Sequence, residues 1–333
     1  MTKTQKITIA SVGALLTILI VAAIAWHHIF MHKTELPEAT EVIFIDQDDT
    51  QDSLRSKSGL EWRFDIFRRL MDSKVRTGRY EVHQGMRALE LYRKLRNGAQ
   101  DPMQLTLPSV RTLDRLAGYL GHQLMEDSAA FAKAFSETAS DYGYTAETLP
   151  ALFIPETYEI YWTVSPEGFM KRMERENKAF WNSSRDAKAK ATGLTHNEVC
   201  TLASIIDEET ANNPEKPMVA GMYLNRIRKG MLLQADPTVK FAMQAFGLRR
   251  IYFDHLKYDS PYNTYLYPGL PPGPIRIASV VAIDAVLNAA HHDYLYMCAK
   301  EDFSGTHNFA RTYAEHLSNA RRYSKALNER GIR

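Results

Sequence analysis

No feature constrains this chain more than its first thirty residues. From Ile7 to Trp26 there is no charged side chain (ITIASVGALLTILIVAAIAW). At ~1.5 Å per residue that run makes a helix about as long as a hydrocarbon core is thick, ~30 Å. A single N-terminal membrane span is the expected outcome. Lys3 and Lys6 precede it, whereas Glu35, Glu38 and Glu41 follow it with only Lys33 as a nearby cation. That bias predicts residues 1–6 as a cytoplasmic tail, 7–26 as the transmembrane helix, and the rest outside the cytoplasm, at the inner membrane of the cell. Ala23-Ile24-Ala25 has the small-x-small form of a cleavage site, so a cleaved signal peptide is the competing reading; the run is long for one.

The 333 residues leave room for about two further domains. Hydrophobic residues at 45% and charged residues at 24% exclude globally disordered and collagenous classes. A formal charge of +2 gives no general case for nucleic acid as a partner. Cys200 and Cys298 both sit in apolar runs without paired Cys/His spacing and read as buried free thiols. The pairs His27/His28 and His291/His292 lack the i,i+4 spacing of helical ligands, so no metal is expected, and no cofactor.

The polar stretch 27–40 reads as a linker. Residues 41–124 read as a small α+β module, with a strand in EVIFI (41–45) and a helix in LEWRFDIFRRL (60–70). Within it, Met86-Arg87-x-Leu89-Glu90 recurs as Val110-Arg111-x-Leu113-Asp114, so one strand-turn-helix unit is expected twice, its strands pairing with each other. Between Arg55 and Arg96 twelve Lys/Arg face five acids. Outside the cytoplasm the candidate partners for such a face are anionic lipid headgroups or a carboxylate-bearing polymer such as peptidoglycan; a solvated face with no ligand is the alternative. Residues 125–333 read as a larger, mainly helical domain with strand-like insertions at 153–162 and 293–299. Its least regular stretch is Tyr258–Ile275, whose five prolines exclude a helix or a central strand.

Candidate chemistry collects in this larger domain. Thr195-x-x-Glu198 has the form of a capping box, and behind it Val199, Leu202, Ala203 and Ile206 fall on one helical stripe. Glu209 should emerge at the end of that stripe, partly desolvated, which favours its acid form and suits a general acid. Glu208 is expected to point into solvent and Asp207 to lie on the opposite margin. The plainer reading makes all three an acidic helix end, although acids there oppose the helix dipole. Asp236 reads as the N-cap of a helix with Pro237 at its first position. Gln234 has no visible structural role, and its amide suits a sugar hydroxyl or amide. His307 reads as a residue of a tight turn after a strand.

Three segments, LASIIDEETANNPEKPMVAGMYLNRIRKGMLLQADPTVKFAM, DSPYNTYLYPGLPPGPI and YLYMCAKEDFSGTHNFARTYAEH, resemble the YceG-like family of MltG-type endolytic murein transglycosylases. The resemblance spans roughly residues 125–330. It implies a membrane-anchored enzyme with a small LysM-like module that cuts murein glycan strands internally, limits the length of new strands, and works beside peptidoglycan synthases. It assigns the acid/base to Glu209 and the site lining to Gln234, Asp236, Tyr262, Asn263, Thr264 and His307; Asp207 stands where the family usually has Glu. Tyr262, Tyr265 and Tyr267 would then stack on pyranose faces, and Asn263 and Thr264 would bond an N-acetyl group. Two rivals are a hydrolytic muramidase, with Asp236 or Asp207 as a second carboxylate, and a non-catalytic wall-binding scaffold.

Overall fold

A computed structural model describes residues 2–34, 38–248 and 250–331. The chain forms two compact units, Met1–Gln104 with Glu159–Val164, and Leu105–Tyr158 with Ser165–Arg333. In the first unit, helix α1 (Lys3–Phe30) begins at a capping box between Thr2 and Gln5 and buries none of its residues. It is long and apolar enough to cross a membrane.

The expected linker is shorter than residues 27–40. Helix α1 runs four residues past Trp26, and the segment behind it is tied down: Thr34 N–H donates to Met86 O (2.8 Å) and Ala88 N–H to His32 O (2.8 Å). Residues 35–37 of that linker lie outside the described residues. Strand β1 (Thr40–Ile45) follows, then α2 (Gln51–Ser58), α3 (Trp62–Met71), β2 (Gly78–His83) and α4 (Ala88–Asn97). The two strands pair antiparallel with Ile43 opposite Tyr80. Alternation sets their faces: Ile43, Ile45, Tyr80 and Val82 point inward while Val42 and Phe44 stay exposed. Phe64, Phe67, Leu91, Tyr92 and Leu95 from the helices complete this core, and Ile29 and Phe30 of α1 pack against it.

The two copies of the repeat do not pair with each other. Strand β2 takes β1 as its partner, and β3 (Met103–Thr106) takes β4 (Thr157–Ile160). The second copy's helix, α5 (Leu113–Gln123), packs on α6 (Ser128–Thr138) in the larger unit. EVIFI, with two inward isoleucines, takes the edge of β2 itself; local likeness specifies an element, not its partner.

The larger unit continues with α7 (Pro166–Phe180), α8 (Ser183–Thr192), α9 (His196–Glu209), α10 (Lys216–Arg228), α11 (Asp236–Ala242) and α12 (Val280–Leu287). The antiparallel hairpin β5 (Tyr296–Ala299) and β6 (His307–Ala310) leads into α13 (Tyr313–Glu329). Thr195 and Glu198 form the capping box that starts α9. This helix is enclosed rather than striped, since every residue from Val199 to Ile206 is buried, Cys200, Thr201 and Ser204 included. The hydroxyls are tolerable there because Thr201 donates to Asn197 O (2.8 Å) and Ser204 to Thr201 O (2.7 Å). Ser204 Oγ also accepts the N–H of Ile275 (3.0 Å), pinning the end of the proline-rich loop onto α9. That loop passes so close to the 147–148 backbone that a Cβ on Gly273 would lie 2.0 Å from Glu147 O.

Candidate active site

The three acids that end α9 have three different environments. Asp207 accepts from Lys216 Nζ (2.6 Å), from the Ser279 N–H (2.7 Å) and from Ser279 Oγ (2.8 Å). It thereby joins α9 to the starts of α10 and α12, with both charges of the Lys216 pair nearly sealed from water. Glu208 does not point into solvent as expected. Arg111 grips it through Nε and Nη2 (both 2.8 Å) and Arg276 adds Nη1 (3.0 Å). Two arginines remote in sequence thus turn an apparently free acid into a cross-link.

Glu209 opens into a cleft of about 250 Å³ lined also by Tyr223, Arg226, Gln234, Asp236, Tyr265, Cys298 and His307. Tyr223 Oη donates to Glu209 Oε1 at 2.9 Å. Burial pushes the Glu209 carboxyl up to about 7, and the negative charge of Asp236 pushes the same way; the Tyr223 hydrogen bond and Lys240 pull against them. Such a group exists as acid and as carboxylate in comparable amounts near neutral pH, which is what a residue that first gives and then takes a proton requires.

The other walls are held by backbone-directed contacts. Arg226 is buried and donates to Leu295 O (2.6 Å), Leu232 O (2.9 Å), Leu233 O (2.9 Å) and Gln234 Oε1 (3.3 Å). It fastens the turn before α11 to the hairpin side of the cleft. Gln234 has a positive φ of 54°, a conformation that a non-glycine residue adopts at a cost, and its N–H is held by Thr264 O (3.1 Å). Asp236 is not the cap of α11: Ala235 holds that position, and no side chain caps it. The Asp236 carboxylate accepts instead from Tyr265 Oη (2.5 Å) across the cleft. His307 opens β6, and Glu215 takes both its N–H (2.6 Å) and its Nδ1 (2.8 Å). A carboxylate only accepts, so Nδ1 is the donor of this bond.

Of the expected lining, Gln234, Asp236 and His307 reach the cleft with Glu209. Asn263 and Thr264 do not, because both are buried in their own loop. Asn263 Nδ2 donates to Leu256 O (2.9 Å) and Tyr258 O (2.8 Å), while Thr264 Oγ1 accepts the Ala235 N–H (3.0 Å). Tyr262 packs on Phe241 with ring centroids 4.8 Å apart, and Tyr267 bonds Asp259, so of the three stacking candidates only Tyr265 lines the cleft. Cys298 is half-exposed in the cleft wall rather than buried; Cys200 is buried. Tyr223, Arg226 and Glu215 carried no sequence signal beyond their place near the motif, since nothing in a local pattern aims them at Glu209 or His307. Among the described residues no group of three or more His, Cys, Asp or Glu is placed to hold a metal.

A single desolvated acid in a polar cleft, at the end of a buried helix, defines a class of proton-transfer site. The comparisons name it further. Residues 47–322 match the YceG-like family, and the chain belongs to that family. It is 29% identical over 276 residues to an endolytic murein transglycosylase of Bacillus subtilis strain 168, covering 78% of this chain and 76% of that protein. An endolytic murein transglycosylase of Streptococcus pneumoniae R6 is 28% identical over 261 residues, 68% of this chain and 46% of the other, so the chain spans about half of that longer relative. The crystal structure of a YceG-like protein from Listeria monocytogenes superimposes with a TM-score of 0.57 at 25% identity, over 84% of this chain and 98% of that one.

Proposed function

We propose that this chain is an endolytic murein transglycosylase, a lyase that cuts peptidoglycan glycan strands internally with Glu209 as its acid and base. The observation that carries the reading is the Glu209 carboxyl itself, raised to about 7 by burial and open to the cleft. Protonated Glu209 gives its proton to the glycosidic oxygen between N-acetylmuramic acid and N-acetylglucosamine as the bond to the muramic C1 breaks. The resulting carboxylate takes the proton of that same muramic residue's C6 hydroxyl, whose oxygen closes onto C1. The product is a 1,6-anhydro sugar and Glu209 ends protonated, so one carboxyl serves both steps and no water enters. Attack from within the same ring gains from proximity.

Asp236, drawn in by Tyr265, supplies negative charge where C1 becomes cationic. The muramidase reading rests on this same carboxylate, which would then activate water. Helix α1 anchors the enzyme with residues 1–6 in the cytoplasm and the cleft outside, where murein lies. Digestion of purified sacculi by the full chain, with mass spectrometry of the products, tests the reading. Anhydro-muropeptides support it, products heavier by one water identify a muramidase, and sacculus binding without release identifies a scaffold.

A further inference from the structure

The structure places helix α3 where a membrane-spanning α1 would meet lipid headgroups. Arg63 Nε donates to His28 O (2.9 Å), and the Phe30 ring packs on Phe67 with centroids 5.7 Å apart. Residues 63 and 67 are one turn apart on α3, yet their partners are two residues apart on α1, ~3 Å of helix rise. Both contacts fall on the last turn of α1, so this part of α3 lies beside the end of that helix. His28 is two residues beyond Trp26, so Arg63 sits ~3 Å outside the apolar run, within the ~5–7 Å headgroup layer on each side of the hydrocarbon.

The arc of α3 turned away from its own core is built for that layer. Phe64 and Phe67 face inward, whereas Trp62 is 47% and Leu70 64% exposed, with Arg69 also exposed on the stripe of Trp62, two turns along the helix. The Arg63 guanidinium lies 4.6 Å from the Trp62 ring centre. Arg55 already neutralises Asp65, the acid of this helix (2.7 Å), while Arg63 and Arg69 pair with no carboxylate among the described residues. An exposed Trp and Leu beside uncompensated arginines is the composition of a helix lying in a membrane interface.

We infer that the outer arc of α3 rests on the membrane surface, Trp62 and Leu70 entering the interface and Arg63 and Arg69 engaging the phosphates of anionic lipids. The inference rests on α1 spanning the bilayer and adds a second, lipid-selective contact to that anchor. It fixes the orientation of the first unit at the surface.

The test uses the full chain with Cys298→Ser and Leu70→Cys, labelled at residue 70 with an environment-sensitive fluorophore. It is reconstituted in phosphatidylcholine vesicles with or without phosphatidylglycerol. Co-flotation resistant to carbonate checks the span separately. The expected result is quenching of the label by lipids brominated near the carbonyl, stronger in anionic vesicles. Arg69→Gln should lower the docked-to-undocked ratio about fivefold in anionic vesicles and leave it unchanged in neutral ones, while Arg63→Gln, which also loses the bond to His28 O, should lower it at least as far in anionic vesicles. A label that co-floats but is not quenched in either vesicle overturns the inference, as does quenching indifferent to lipid charge and to both arginines. Response of the label to soluble murein fragments but not to lipid would assign the face to wall polymer instead.

Discussion

Tyr223 Oη donates a 2.9 Å hydrogen bond to Glu209 Oε1, and the two side chains line one cleft. The donor belongs to the buried face of α10, where burial and the neighbouring Glu209 charge raise its own hydroxyl well above the ordinary range. Tyr223 is therefore a donor throughout the working pH range, and it favours the carboxylate form of a group that burial drives toward the acid.

Glu209→Gln keeps shape and removes the exchangeable proton. Anhydro-muropeptide release from sacculi should fall by ~10²–10⁴-fold or more while circular dichroism stays unchanged. Near wild-type release by the folded variant would move the acid elsewhere.

Two substitutions should displace the pH profile in opposite directions. The acid step needs protonated Glu209, so wild-type kcat/KM should decline as pH rises through about 7. Tyr223→Phe removes a contact that lowers the Glu209 pKa and should carry the decline to higher pH, with ~10-fold or greater loss at the optimum. Asp236→Asn removes a charge that raises it and should carry the decline to lower pH. Profiles moving together would refute the electrostatic picture of the cleft.

Stability should follow the same group. The Glu209 pKa is raised in the folded chain from an ordinary 4.5 to about 7. Its contribution is fully present below the unfolded value and is lost as pH rises through the folded one. The unfolding free energy of Glu209→Gln should therefore gain on that of wild type between pH 4.5 and about 7 and then level off, the whole gain being at most ~3 kcal/mol. A constant difference across that range is the contrary result.

Asp207→Asn and Glu208→Gln should behave as folding variants. Asp207→Asn leaves the sealed Lys216 charge without its anion, a loss of ~3–5 kcal/mol, whereas Glu208→Gln weakens the grip of Arg111 and Arg276 on the end of α9. Thermal melts should drop for both, most for Asp207→Asn; that variant should keep the wild-type pH midpoint, while Glu208→Gln, which removes a charge that helps raise the Glu209 pKa, should carry the midpoint to slightly lower pH. A shifted midpoint with an unchanged melt for Asp207→Asn would make that residue part of the chemistry.

For the anchor, a reporter active only outside the cytoplasm, fused after Arg333, should work in intact cells, and the protein should resist carbonate extraction. Recovery in the soluble extracytoplasmic fraction would show that the α1 segment is cleaved.

The sequence by itself determined what depends on neighbours along the chain. The uncharged run of α1, the Thr195 capping box, the strand alternation in EVIFI and the proline-rich loop are local or periodic patterns, and each element formed where its pattern lies. Position at the end of a buried helix made Glu209 a candidate acid, and the family resemblance pointed to the same residue. Tertiary structure alone decided which acid is free. Asp207, Glu208 and Glu209 are consecutive, and what separates them is Lys216 with Ser279, Arg111 with Arg276, and Tyr223, partners 9 to 97 residues away. The same holds for Asn263 and Thr264, whose polar groups look like ligands for a sugar until the fold turns them inward, Asn263 onto its own loop and Thr264 onto the turn before α11. A helical period fixes the angle at which a side chain leaves its axis; the charge and solvent waiting at that angle come from elements folded against it from elsewhere in the chain.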